Sequence, residues 1–142
     1  MKIVKSISIF ALTSAILAVG LFAQSLPVGR WQLASYKFEN TVSKPLEGVK
    51  ITLNVRANGQ LGGNSGCNSY GGSYELADGK LKVFDVISTM MACDEPSPKF
   101  ERSFFSTLSS GSSAVRTDDE LTITDPQTGN YLKFVETKKI GK

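Results

Sequence analysis

The chain has 142 residues, of which 41% are hydrophobic, and its 16 basic and 13 acidic side chains give a net charge of +3. It contains no histidine, which excludes Ser-His-Asp and Cys-His catalytic arrangements and histidine-based metal sites. The slight excess of basic residues, with no basic run before the tail at 138–142, gives no sign of nucleic-acid binding.

The N-terminus has the layout of a secretory signal peptide, because Lys2 and Lys5 precede an uncharged, mainly apolar run over residues 7–22. This run is shorter than the roughly 20 apolar residues of a membrane span. We expect a signal peptide over residues 1–23, cleavage after Ala23 and no stable membrane insertion afterwards. A retained N-terminal anchor is the alternative.

The mature chain, residues 24–142, is predicted to be a single domain. It carries 14 basic and 13 acidic residues, a net charge of about +1. No cysteine lies near residue 24, so lipid anchoring through an N-terminal cysteine is excluded. The sequence therefore indicates a periplasmic or secreted protein.

Cys67 and Cys93 are the two cysteines of the chain. An isolated pair in an oxidising compartment most often forms a disulfide. Closing a loop of this size stabilises a fold by roughly 3–4 kcal/mol in the chain-entropy model. Two free thiols are the alternative, because unpaired cysteine also behaves as a small hydrophobic residue.

The first half of the mature chain alternates apolar and polar residues with a period of two, which predicts strands over 29–36 and 49–55. The first of them points Trp31 inward. Asn58-Gly59 predicts a hairpin turn with positive φ at both residues, and Leu61 starts the return strand.

The next segment is rich in glycine over 62–72, which indicates bends, bulges or close approach of the backbone. Asp78-Gly79 then turns the chain into a strand over 80–86. On that strand Leu81 and Val83 share a face, with Asp85 as a third candidate for it.

One helix is predicted over 98–108, with Ser97 as its N-cap and Pro98 at its first position. Phe100, Phe104 and Leu108 recur every four residues along one face. Further strands are predicted over 114–117, 120–124 and 130–136. Strands before and after a single helix favour an α+β fold: a curved antiparallel β-sheet or partly open small β-barrel with one packed amphipathic helix.

The two cysteines lie in distinctive motifs, Gly66-Cys67-Asn68-Ser69-Tyr70-Gly71-Gly72-Ser73-Tyr74 and Ser88-Thr89-Met90-Met91-Ala92-Cys93. These resemble the motifs of the META domain, also called the HslJ-like domain. The resemblance implies a compact curved sheet or small barrel with a helix alongside. It also marks seven residues as structural or binding positions: Gly66, Asn68, Tyr70, Gly72, Tyr74, Thr89 and Met91.

The residues of the two motifs suggest structural roles rather than catalysis. The Asn68 side chain is expected to hold the bend through the backbone, and the Thr89 hydroxyl to satisfy backbone groups near the second cysteine. One residue of the pair Met90-Met91 is expected in the core.

No residue is assigned as catalytic, cofactor-binding or metal-binding. The acidic pairs that a glycosidase would need, Asp94-Glu95 and those within 118–120, lie in turn-rich segments where carboxylates are usually solvated.

These observations favour a monomeric, non-enzymatic protein with a cell-envelope or stress-related role, as the resemblance to HslJ-like proteins implies, acting through contacts with an envelope protein. One alternative is a binder of a small apolar ligand or lipid, with a cavity near Phe100, Phe104 and Tyr74. Another is a secreted protease inhibitor with a projecting loop at 38–46.

Overall fold

The computed structural model describes residues 25–110 and 112–138; the predicted signal peptide lies outside them. The fold is α+β, as predicted. Its strands are β1 (Gly29–Phe38), β2 (Thr41–Ser43), β3 (Thr52–Val55), β4 (Gln60–Asn64), β5 (Ser69–Ala77), β6 (Lys80–Ser88), β7 (Ser113–Thr117), β8 (Glu120–Thr124) and β9 (Tyr131–Glu136). The helix α1 (Ser97–Ser109) lies between β6 and β7 in the chain.

The nine strands form one antiparallel sheet that closes almost into a ring. β1 joins the two ends of the sheet, since it pairs with β3 and β2 along one edge and with β9 along the other. The join between β6 and β7 is the shortest, with Lys80 opposite Ser113 as its single register pair. The result is a small barrel that is closed between β6 and β7 by a short pairing.

The inward faces of the strands follow the predicted alternation, and Trp31 has no exposed surface. The strand expected over 49–55 is shorter, because ladder pairing with β1 begins at Thr52. Before it, the N–H of Val49 donates to the Leu46 carbonyl (3.0 Å) in a local turn. The turn lies before the expected strand, and residues 49–51 form no ladder pair, although the Ile51 carbonyl accepts the N–H of Leu33 (2.9 Å).

The tight turns depart from the prediction at one place. At Asn58-Gly59 only the glycine has positive φ (77°), since the N–H of Arg56 donates to the Gln60 carbonyl and closes a three-residue loop. Glu39-Asn40 and Asp78-Gly79 instead have positive φ at both residues, the geometry that two-residue hairpins favour. The first of these creates β2, which the sequence did not indicate.

The helix is confirmed, although its start differs from the prediction. Pro96 is the N-cap and Ser97 is the first helical residue, with no side-chain capping bond. Phe104 and Leu108 are fully buried, and the helix packs against β6, β8 and β9. Burial of two such side chains contributes roughly 1.5–3 kcal/mol each.

The core fills the inside of the barrel. Asp85 does not join Leu81 and Val83 on the inner face of β6: it is exposed, has φ of 53° and sits where the pairing with β5 shifts register. A bulge of this kind turns one side chain away from its neighbours. The largest fully buried side chains are those of Trp31, Phe104, Phe134, Leu26, Leu53, Leu81, Leu108, Leu121, Ile123 and Leu132.

Candidate functional site

The fold brings the two cysteine motifs together at one end of the barrel. β5 and β6 are adjacent, so the start of β5 meets the segment that follows β6. The N–H of Thr89 donates to the Ser69 carbonyl (2.9 Å), which extends the ladder beyond the strand. Cys67 and Cys93 form a disulfide, with their Cα atoms 6.3 Å apart. Both motifs are therefore fixed to each other by covalent and hydrogen bonds.

Asn68 is the centre of this junction and is only 6% exposed. Its Oδ1 accepts hydrogen bonds from the Thr89 hydroxyl (2.9 Å) and from the N–H of Met91 (2.8 Å). The Asn68 side chain does bond to the backbone, but that backbone belongs to the second motif rather than to its own bend. Asn68 thus connects segments that lie more than twenty residues apart in the chain.

Thr89 acts toward the first cysteine rather than the second, contrary to the prediction. Its hydroxyl oxygen accepts the N–H of Ser69 (3.1 Å) and its hydroxyl hydrogen goes to Asn68. The antiparallel register places Thr89 beside Ser69, whereas Cys93 lies four residues further on. Together Asn68 and Thr89 connect the first motif to the second through three hydrogen bonds.

Glu101 completes the junction from the helix, and the motif analysis missed it. Its carboxylate accepts from the Asn68 side-chain amide (2.8 Å), from the Asn68 N–H (3.1 Å) and from the Ser65 hydroxyl. Glu101 lies next to the apolar face of α1, three residues before Phe104, and an acidic residue at such a position was a usable signal. We call Ser65, Asn68, Thr89 and Glu101 the Asn68 clamp.

Four exposed apolar side chains flank Thr89 in the chain, and we call them the apolar ridge: Val86, Ile87, Met90 and Met91. Their exposed fractions are 39%, 77%, 98% and 64%. The expectation that one methionine fills the core is wrong, because the clamp holds the Met91 backbone and leaves both side chains outside. Single exposed apolar residues are ordinary, but several large ones within six residues of the chain favour a contact surface.

The comparisons with known proteins agree with the motifs. The META domain family matches residues 24–139. The chain belongs to the META-domain family. A protein from Burkholderia xenovorans with an NMR structure is 29% identical, with a TM-score of 0.64, over 78% of this chain and 83% of that chain.

Two further solved structures share the fold of this META domain. One, also determined by NMR, is 19% identical (TM-score 0.63; 80% of this chain, 92% of that one). The other, a crystal structure of a DUF4847 family protein from Bacteroides vulgatus, is 11% identical (TM-score 0.55; 79% and 94%). No curated protein matches the sequence.

The remaining motif residues of the META domain lie in and around β5. Gly66 has φ of 110° and donates its N–H to the Asn64 side chain (2.8 Å). The Tyr70 hydroxyl donates to the Thr52 carbonyl (2.9 Å), and burial raises the pKa of Tyr70 far above its usual value. A Cβ at Gly72 would lie 3.1 Å from the Phe84 carbonyl oxygen, and Tyr74 is buried. These positions support the fold around the clamp.

The acidic groups considered as catalytic candidates lie on the surface of the META domain. Asp94 and Glu95 are exposed, as are the acids of 118–120, where Glu120 pairs with Lys133 (3.5 Å) and Asp119 with Lys138 (3.7 Å). Among residues 25–110 and 112–138, no three cysteine or acidic side chains are grouped closely enough to hold a metal ion. The META family is not a known family of enzymes.

The interior of the barrel is occupied by side chains. Phe104, fully buried, packs its ring against those of Tyr70, Phe100, Phe105 and Phe134. Two hollows near Phe100, of about 210 and 80 Å³, border the helix, and neither Phe104 nor Tyr74 lines them. The packing around Phe104 argues against an apolar ligand held in the core.

The segment 38–46, expected as a projecting loop in a protease inhibitor, instead begins as the β1–β2 hairpin. Phe38, next to the turn of this hairpin, packs on Tyr36 and Phe100 (ring centroids 4.8 and 5.7 Å apart). Within the described ranges, no helix is long and apolar enough to cross a membrane.

Proposed function

We propose that this META domain is an exported, non-enzymatic protein of the cell envelope that acts by binding another protein through its apolar ridge. The observation that carries the proposal is the exposure of Ile87, Met90 and Met91 next to a rigid junction. Large apolar side chains held outside the core in a small domain favour association over solvation. The proposal does not require any reaction at the site.

The ridge is suited to a protein partner because its shape is set in advance. The Met91 N–H is bound to Asn68 and Cys93 is bridged to Cys67, so the backbone loses little freedom on binding. The methionine side chains above it remain adaptable and can fit an irregular apolar groove. A fixed backbone with flexible side chains supports selective contact with one class of surface.

Charge adds a second element of recognition. Asp94 and Glu95 are exposed and follow the ridge within four residues of Met91. A partner with an apolar groove and a basic rim would complement this segment, and its association rate would fall as salt screens the charges. The partner class is therefore an envelope protein with basic residues around an apolar depression.

Export is supported by the signal-peptide pattern at 1–23 and by the disulfide, since such bridges persist in oxidising compartments. The cell-envelope and stress-related role comes from the resemblance to HslJ-like proteins. Fractionation of the producing organism shows whether the mature protein stays in the periplasm or leaves the cell. The intact mass of the purified protein tests cleavage after Ala23.

Site-specific photocrosslinking in the producing organism tests the ridge. A photoreactive phenylalanine analogue replaces Met90, and the control places it at Val115 on β7, which is also apolar and 57% exposed. We expect one discrete adduct from position 90 and none from position 115. The adduct protein is then purified and its affinity for the mature domain measured at low and high salt.

The variants Ile87→Lys and Val115→Lys separate binding from folding. Both change exposed side chains, so their unfolding free energies should stay within about 0.5 kcal/mol of wild type. Ile87→Lys should weaken binding at least about tenfold, or 1.4 kcal/mol, and Val115→Lys should not. Equal crosslinking from both positions, or unchanged affinity of Ile87→Lys, would reject the proposal.

A further inference from the structure

The outer face of β3, β4, β5 and β6 contains a hollow of about 560 Å³, separate from the barrel interior. This volume lies within the roughly 300–1,000 Å³ of typical ligand sites. Its side chains form three rows that run across the four strands. We call it the transverse groove.

The middle row is the floor of the groove. The strand register aligns Asn54 with Gly62, Gly62 with Gly71, and Gly71 with Ile87. Two of these four positions have no side chain, so the backbone itself forms the bottom. Three inter-strand spacings of about 4.8 Å make the floor roughly 14 Å long.

The walls are polar and nearly neutral. Thr52, Asn64 and Ser69 form one wall; Arg56, Gln60, Ser73 and Asp85 form the other. Hydroxyl and amide groups supply both donors and acceptors, while one cation and one anion cancel. Such walls suit a ligand with many hydroxyl groups and no net charge.

Asp85 is directed to this surface by the bulge in β6. The register shift opposite Gly71 and Ser73, together with its φ of 53°, removes it from the inner face. Its side chain is exposed. The carboxylate is therefore available to accept hydrogen bonds from a ligand.

Gly71 differs from the other floor glycine. A Cβ at Gly62 would lie 2.7 Å from the Tyr70 carbonyl oxygen, so backbone packing requires glycine there. A Cβ at Gly71 would meet only the Leu61 carbonyl oxygen, at 3.8 Å, which is ordinary contact. The groove can thus be filled at Gly71 without disturbing the strands.

We propose that the transverse groove binds a neutral oligosaccharide laid across the four strands. A peptide is a poorer fit, because peptides usually bind sheets through the backbone of an open edge. β3, β4 and β5 are paired on both sides, and Ile87 is the one strongly exposed apolar side chain among the lining residues. The balance of Arg56 and Asp85 also disfavours polyanions. Ile87 belongs to both surfaces, but Gly71 and Asp85, which carry this proposal, lie outside the apolar ridge.

Two-dimensional NMR of the ¹⁵N-labelled mature domain tests the proposal, with cellotetraose and the tetramer of N-acetylglucosamine as probes. We expect at least one of them to shift the amide signals of Gly62, Gly71, Ser73 and Asp85, with Kd below about 10 mM. A tetrapeptide and a sulfated oligosaccharide serve as comparison probes. Stronger binding of either comparison probe in the groove would overturn the assignment to a neutral sugar.

Gly71→Leu should raise Kd at least tenfold. Asp85→Asn should raise Kd several-fold, and asparagine is chosen because it tolerates positive φ. Thr122→Leu adds the same side chain on β8, away from the groove, and should leave Kd unchanged. If Gly71→Leu lacks a native spectrum, Gly71→Ser replaces it. No shifts with either sugar near 10 mM, or unchanged binding by a folded Gly71 variant, would refute the proposal.

Discussion

Replacement of Asn68 by alanine tests whether the clamp holds the two motifs together. It removes side-chain hydrogen bonds to Thr89, Met91 and Glu101, each between 2.8 and 2.9 Å long. The two neutral bonds contribute about 1 kcal/mol each and the one to the carboxylate about 1.5–3 kcal/mol. We therefore expect a loss of roughly 3.5–5 kcal/mol, a large share of the 5–15 kcal/mol typical of domains.

Urea unfolding followed by tryptophan fluorescence measures this loss. Trp31 is the single tryptophan and has no exposed surface, so its emission reports on exposure of the core. With a urea dependence of about 2 kcal/mol per molar, the midpoint should fall by roughly 2 M. Asn58→Ala is the matched control, because it removes two exposed hydrogen bonds to Gln60 and should cost less than about 1 kcal/mol.

A double-mutant cycle with Glu101→Ala separates the hydrogen bonds from the loss of packing. Asn68 and Glu101 share two direct bonds, and the Asn68→Ala substitution removes the one made by the side chain. The coupling energy between the two substitutions should be about 1.5–3 kcal/mol. A loss for Asn68→Ala no larger than that for Asn58→Ala, or a cycle with no coupling, would show that the clamp does not hold the two motifs together.

Two other perturbations have defined outcomes. Replacing both Cys67 and Cys93 by serine should cost about 3–4 kcal/mol, because the bridge spans 26 residues; urea unfolding in oxidising buffer measures it, and an unchanged midpoint would contradict the stapled fold. The pKa of Asp125 is lowered mainly by its bond from the Thr128 hydroxyl and also by the Gln127 N–H. Its carboxylate therefore stabilises the fold above the unfolded pKa, and this contribution is lost as the pH falls through the lower folded pKa. Asp125→Asn should be destabilised at about pH 7, and its difference from wild type should shrink toward about pH 2; a difference independent of pH would oppose this.

The elements governed by local patterns were predictable. Leu53 and Val55 face inward because strand side chains alternate, and Phe104 is buried because it lies on the apolar stripe of the helix. The shortened β3 was missed, because the alternation over 49–55 does not show that ladder pairing with β1 begins only at Thr52. The periodicity of apolar residues thus predicted which side chains face the core better than it predicted where the strands begin and end.

The site was only partly predictable for a different reason. The motifs indicated Asn68 and Thr89, but Glu101 lies 33 residues beyond Asn68 and reaches it through helix packing. The exposure of Met90 was also not predictable, because a pair of methionines alone does not show whether their side chains face the core or the solvent. Both features arise from tertiary contacts between distant segments, which residue types and spacing leave undetermined.

The pairing of β1 with β9 sets an order of events during the proposed export of the chain into an oxidising compartment. Trp31 lies opposite Glu136, so the ring cannot close before nearly the whole chain has emerged. Cys67, Cys93 and the residues of the Asn68 clamp all precede β7 and are available much earlier. The junction between the motifs can therefore form, and its cysteines become oxidised, before β1 pairs with β9. Closure then depends on a contact between distant ends of the chain, the type that makes folding slow.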